Sequence, residues 1–124
     1  RRQSMARILI LDDISDAVRL TARLLKENGH TVFPFTDEEP ALDFIAENPV
    51  DLAILDIKLK KMSGIDVLAR IKQIAPAIRT LVLTGYPTVE TARESVRLGA
   101  GEFCVKPIDN AELEEKVSRL LAAD

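Results

Sequence analysis

The sequence predicts an α/β domain: a doubly wound, five-stranded parallel sheet in the order 2-1-3-4-5, with five helices divided between its two faces. Three observations predict it. Short apolar runs with strand character alternate with segments of helical periodicity along the chain. Four of those runs end in a polar residue: Ile8-Leu9-Ile10-Leu11 before Asp12-Asp13, Leu52-Ala53-Ile54-Leu55 before Asp56, Leu81-Val82-Leu83 before Thr84, and Phe103-Cys104-Val105 before Lys106-Pro107. Strands of this kind are buried on both faces of a parallel sheet, so the polar residue falls where each leaves the core. The fifth run, Thr31 to Phe35, contains Pro34, which has no N–H to give a ladder and belongs at a sheet edge. With right-handed crossovers and strand 2 at an edge, 2-1-3-4-5 follows.

The helices come between the strands. In the first, Ala17, Leu20, Thr21, Leu24 and Leu25 recur at helical spacing, and Asn28-Gly29 supplies the stop. Thr36-Asp37-Glu38-Glu39 has the spacing of a capping box and opens the second, whose buried stripe is Leu42, Ile45 and Ala46. The third carries Ile65, Leu68, Ala69 and Ile71. The fourth runs from Val89 through Ala92 and Val96 to Gly99. Asp109 with Glu112 starts the last, with Leu113, Val117, Leu120 and Leu121 as its apolar stripe.

Composition narrows the function. At 124 residues the chain makes one domain with a single core and needs no staples. Acidic residues outnumber Lys and Arg by 20 to 17, a balance that argues against direct nucleic-acid binding. The single cysteine, Cys104, lies inside an apolar run, which points to a buried inert thiol and leaves no disulfide or zinc framework. No apolar stretch approaches a membrane span and no signal peptide is recognisable, so the expected location is the cytoplasm. Residues 1–4 carry no pattern and are expected to be a remnant or the end of an upstream segment; the domain is expected to span 5–124.

In an open α/β sheet the ligand site lies outside the carboxyl ends of the strands. Asp12, Asp13, Asp56, Thr84 and Lys106 would therefore meet on one rim. Singly, each has an ordinary reading as a helix cap, a strand-exit residue or a solvated lysine. Together they describe a site for a hard divalent cation and a phosphoryl group. Mg²⁺ takes oxygen ligands and keeps several waters, so two or three carboxylates suffice, and crowding three is costly unless a cation neutralises them. Asp56 is the natural nucleophile, because carboxylates form acyl phosphates. Lys106 is a point charge for one phosphoryl oxygen and Thr84 a hydroxyl donor for another.

At these residues the chain resembles the receiver domain of two-component response regulators. The matching stretches are Leu11-Asp12-Asp13, Leu55-Asp56-Ile57, Met62-Ser63-Gly64, Leu83-Thr84-Gly85-Tyr86 and Leu98-Gly99-Ala100 through Phe103 to Lys106-Pro107. The resemblance implies the flavodoxin-like fold of chemotaxis receivers and a switch activated by phosphorylation. By it, Asp56 accepts a phosphoryl group from a sensor histidine kinase or a small phosphodonor. Asp12, Asp13, the Asp56 carboxylate and the Lys58 backbone carbonyl hold Mg²⁺, with Mn²⁺ as a substitute. Lys106 pairs with the phosphoryl group. Thr84 moves toward it and Phe103 turns inward, reshaping the surface of helix 4, strand 5 and helix 5 for an output domain or a homodimer. Lys106-Pro107 is expected to be cis. Such a domain is not an enzyme in the usual sense, since it catalyses only its own phosphorylation and dephosphorylation.

Two positions depart from the pattern. Receivers usually carry a proline four residues after the phosphorylated aspartate, where this chain has Lys60 beside Lys61, and Tyr86 is bulky for its place. From this we expect Lys58 and Tyr86 to cover the phosphoryl group partly and slow its hydrolysis. Among rivals, a flavodoxin-type cofactor binder would need a Ser/Thr/Gly phosphate loop where Asp12-Asp13-Ile14-Ser15-Asp16 stands. A haloacid-dehalogenase-like phosphatase would need an Asp-x-Asp nucleophile after strand 1. The main alternative is a phosphorylation-independent pseudo-receiver serving as an interaction module, but such modules usually lose an acidic, threonine or lysine position, and none is lost here.

Overall fold

The computed structural model describes residues 5–59 and 62–122. The expected tail at residues 1–4, together with Lys60, Lys61 and residues 123–124, lies outside them. The described chain alternates β1 (Arg7–Leu11), α1 (Ser15–Glu27), β2 (Thr31–Phe35), α2 (Glu38–Glu47), β3 (Leu52–Leu55), α3 (Gly64–Ile74), β4 (Arg79–Thr84), α4 (Val89–Arg97), β5 (Glu102–Val105) and α5 (Asn110–Ala122). The strands form one parallel sheet in the order β2-β1-β3-β4-β5, as the sequence predicts.

Alternation along each strand builds two cores. Ile8, Ile10, Ile54, Leu81, Leu83 and Cys104 face α1 and α5, while Leu9, Leu11, Leu55 and Val82 face α2 and α3. The β1–β2 ladder uses the Thr31 N–H, which donates to Ala6, and the Phe35 carbonyl, which accepts from Asp12. Odd positions of β2 therefore face β1, and Pro34 faces outward, where its missing N–H costs the sheet nothing and blunts the free edge. Two helices end as their glycines require: Gly29 (φ 96°) and Gly99 (φ 87°) follow α1 and α4 in Schellman turns.

Three helices pack differently from expectation. In α1 the buried residues are Val18, Ala22 and Leu25, while Leu20 is 67 % exposed. Small Ala22 lets the helix lie close on the sheet. The predicted stripe is rotated toward α5, and Ala17, Leu20, Thr21 and Leu24 line a surface groove with Pro107 and Ile108. In α2 the N-cap is Asp37 rather than Thr36, Glu39 pairs with Arg70 of α3 at 3.7 Å, and Ala41 is buried in place of Ala46. In α4 only Ser95 is fully buried, and Val89 and Val96 stand 71 % and 70 % exposed. A capping box between Thr88 and Thr91 secures the start of that helix instead. The last helix begins as predicted, with the Glu112 N–H donating to Asp109 Oδ2 at 3.3 Å. No described helix is long and apolar enough to cross a membrane.

Candidate functional site

Sheet register decides which groups meet. Leu11 pairs with Leu55, and the Asp56 N–H donates to the Leu11 carbonyl at 3.0 Å, so Asp12 and Asp56 leave adjacent strands side by side. Thr84 pairs with Val105, and the Lys106 N–H donates to the Thr84 carbonyl at 2.8 Å. Each functional residue thus sits at or one step past a strand end, where the apolar layer stops and polar groups find room.

Asp12, Asp13 and Asp56 each offer a carboxylate oxygen within 4.8 Å of the others, the one such acidic cluster among the described residues. Asp12 and Asp56 are buried and Asp13 is half-buried. Lys106 Nζ reaches both buried carboxylates, 2.5 Å from Asp12 Oδ2 and 3.4 Å from Asp56 Oδ2. The other oxygens are oriented by backbone donors: the Ile14 N–H to Asp12 Oδ1 at 3.0 Å and the Ile57 N–H to Asp56 Oδ1 at 2.7 Å. Burial raises the Asp12 pKa against the opposing pull of Lys106. For Lys106, burial works downward, but its bond to Asp12 and the charges of Asp12 and Asp56 outweigh it, and the net shift is upward. The set suits a hard, oxygen-ligated divalent cation: three carboxylates converge and the Lys106 ammonium offsets only one of their charges.

Thr84 is fully buried, and its hydroxyl oxygen accepts the Tyr86 N–H at 3.1 Å, which leaves the hydroxyl proton free to donate. Lys58, two residues past Asp56, turns its ammonium over the Tyr86 ring, 4.4 Å from the centroid. Phe103 is half-buried on the α2–α3 side of the sheet, with Leu98 and Ala100 in the same cluster. The Lys106–Pro107 peptide is cis, as expected.

Two residues near the site were not assigned a role from sequence. Gly64 belongs to the Met62-Ser63-Gly64 stretch, yet only the fold shows why a glycine stands there. Its N–H donates to the Ile57 carbonyl at 2.7 Å, and a Cβ would overlap the Asp56 carbonyl oxygen. Glu38, read as part of a capping box, is buried, with Oε2 accepting the Met62 N–H at 2.8 Å. No signal in the sequence distinguishes that glutamate from an ordinary first-turn acid.

Comparison with known proteins agrees with this geometry. The family profile described as the response regulator receiver domain matches residues 8–118. The chain belongs to the receiver domain family of two-component response regulators. This receiver is 34 % identical over 115 residues to the transcriptional regulatory protein ZraR of Escherichia coli K12, covering 93 % of the chain but 26 % of ZraR. It thus spans about a quarter of the length of that curated relative. Among solved structures, a CheY-like receiver domain from Methanospirillum hungatei superposes with a TM-score of 0.92 at 30 % identity, covering 95 % of this chain and 94 % of that one. The response regulator TrrA of Thermotoga maritima, solved in complex with Mg²⁺-BeF, gives a TM-score of 0.85 at 32 % identity, covering 94 % and 99 %. Receivers of this fold are signalling domains rather than enzymes of metabolism.

Proposed function

We propose that residues 5–124 act as a cytoplasmic phosphorylation switch in which Asp56 accepts a phosphoryl group from a sensor histidine kinase or a small phosphodonor. The observation that carries this reading is the convergence of Asp12, Asp13, Asp56 and Lys106 at the strand ends. An Asp56 carboxylate oxygen attacks phosphorus, the P–N or P–O bond to the donor breaks, and the leaving group departs with its electron pair. Asp12, Asp13, Asp56 and the Lys58 carbonyl would hold Mg²⁺, which when bound neutralises phosphoryl oxygen charge. The Mg²⁺-BeF complex of the Thermotoga relative supports that choice of metal, with Mn²⁺ a substitute.

The remaining groups position and read the product. Lys106 already bridges Asp12 and Asp56 and is placed to pair with a phosphoryl oxygen. Thr84 offers the hydroxyl proton that Tyr86 leaves free. Drawing Thr84 toward the phosphate would open space for half-buried Phe103 and shift the α4–β5–α5 surface, a two-state element biased by local charge. Exposed Val89, Val96 and Val105 give that surface an apolar content suited to an output domain or a second copy. The ZraR relative, a transcriptional regulator nearly four times longer than the matched segment, supports an output domain.

The test is intact mass after incubation with acetyl phosphate and Mg²⁺, beside Asp56→Asn. A single phosphoryl adduct, absent in the variant and without Mg²⁺, is expected. An adduct that survives Asp56→Asn would refute Asp56 as acceptor. No adduct from acetyl phosphate or from a phosphorylated histidine kinase would favour the interaction-module reading instead.

A further inference from the structure

Glu38 is the first residue of α2, where a glutamate ordinarily points into water and complements the positive end of the helix. Here it is 1 % exposed, more deeply buried than Asp12 or Asp56 at 6 % and 4 %. Its Oε2 accepts the backbone N–H of Met62 at 2.8 Å. Met62 lies on the return arm of the loop between β3 and α3. Beyond it, Ser63 caps α3 by accepting the Ile65 N–H at 3.0 Å, and the Gly64 N–H donates to the Ile57 carbonyl at 2.7 Å. Gly64 also lies against the Asp56 carbonyl too closely for any side chain. Ile57 is therefore held twice, through its carbonyl by Gly64 and through its N–H by the Asp56 carboxylate itself.

We infer that Glu38 is a positioning residue for phosphoryl transfer: by anchoring the return arm at Met62 it fixes the Ile57–Gly64 clasp that orients the Asp56 carboxylate. The stretch 57–63 contains no proline to restrict a backbone φ. Burying a carboxylate is a poor route to stability, since an apolar residue of similar volume often does as well. What the carboxylate adds is an acceptor for the Met62 N–H, supported by the α2 N-terminus. The inference rests on Asp56 being the phosphoacceptor.

The experiment compares the full chain with E38L and E38Q. Three quantities are read: exchange of the Met62 amide hydrogen, initial rate of phosphoryl uptake from acetyl phosphate at fixed Mg²⁺, and thermal midpoint. In E38L, Met62 exchange is expected to rise roughly ten-fold or more. Uptake is expected to slow by about ten-fold, because small misplacements of a reacting group are costly. E38Q keeps an amide oxygen for the Met62 N–H and is expected to stay within about two-fold of the parent in both readouts. A midpoint close to the parent's shows that slow uptake is not unfolding, and E38M repeats the comparison if E38L does not fold. Parent-like uptake by the apolar variants, or E38Q slowed as much as E38L, overturns the inference while leaving Asp56 as acceptor. A parent chain that takes up no phosphoryl group overturns both.

Discussion

Lys58 and Tyr86 tie two loops together, the ammonium resting 4.4 Å from the ring centroid between the segments that follow β3 and β4. Tyr86 is exposed, so the contact stabilises the closed arrangement by about 0.5–1 kcal/mol. If the two side chains also cover the Asp56 carboxylate, as the sequence leads us to expect, that contact slows the approach of water to a phosphoryl group there. Changing both residues to alanine should speed loss of the phosphoryl group roughly two- to five-fold. Either single change should give nearly the whole effect, since one shared contact is broken in each case. The rate is read from intact mass after donor removal, and an unchanged or slower rate would count against the cover.

Gly64 and Gly85 make a matched pair for the loops around the site. Both belong to stretches that match receivers, yet a Cβ at Gly64 would strike the Asp56 backbone carbonyl, whereas one at Gly85 meets only Lys106 Cβ at 3.9 Å. Backbone cannot swing aside as a side chain does. Gly64→Ala should therefore lower stability by about 1–3 kcal/mol and slow phosphoryl uptake, because relief requires moving the Asp56 peptide. Gly85→Ala should stay within about 0.5 kcal/mol of the parent. Denaturant unfolding of the two variants separates these outcomes, and equal losses would show that the Gly64 loop yields without cost.

Much of this architecture was legible in the sequence because the strands are short, apolar and each punctuated by a polar residue. Pro34 at an outward-facing β2 position, and Asp12, Asp56, Thr84 and Lys106 at the strand ends, stand where that reading puts them. Helix faces were harder. Periodicity places Leu20 and Val96 on helices without saying which side meets the sheet, and both are exposed. In α1 the face on the sheet carries Val18, Ala22 and Leu25, and Leu20 is left at the surface. Glu38 was invisible for a similar reason: nothing in the local pattern of a first turn announces a partner as distant as the Met62 N–H, 24 residues away.

Metal binding should be visible in stability before any phosphoryl chemistry. Saturating Mg²⁺, at about a hundred-fold excess over its Kd, should stabilise the domain by about 2.7 kcal/mol relative to EDTA. Asp13→Ala, which removes the half-buried carboxylate without hollowing the core, should remove most of that shift. Lys106→Met should act in the opposite sense. Without metal it leaves buried Asp12 and Asp56 short of their counter-ion and lowers the midpoint. With metal it should show a larger Mg²⁺ shift than the parent, since no ammonium competes for the same oxygens. Thermal scans of the three proteins in EDTA and in Mg²⁺ test this, and a Lys106→Met shift smaller than the parent's would contradict it.

At the opposite end of the sheet, His30 makes folding sensitive to mild acid. It is buried, and its Nδ1 accepts the Ala6 N–H at 3.2 Å, which requires the neutral ring with its proton on Nε2. Burial lowers its pKa. A base whose folded pKa lies below its unfolded value binds fewer protons when native, so stability rises with pH in that range. The contribution is present above the unfolded value, about 6.5, and is lost as pH falls from there through the lowered folded value. Protonation also turns an acceptor into a donor facing another donor, a loss on the order of 1 kcal/mol. The thermal midpoint should therefore drop by a few degrees between about pH 7.5 and 5.5. His30→Gln cannot titrate and should flatten that slope while keeping an oxygen for Ala6. If the variant's midpoint falls as steeply as the parent's, the sensitivity belongs to another group.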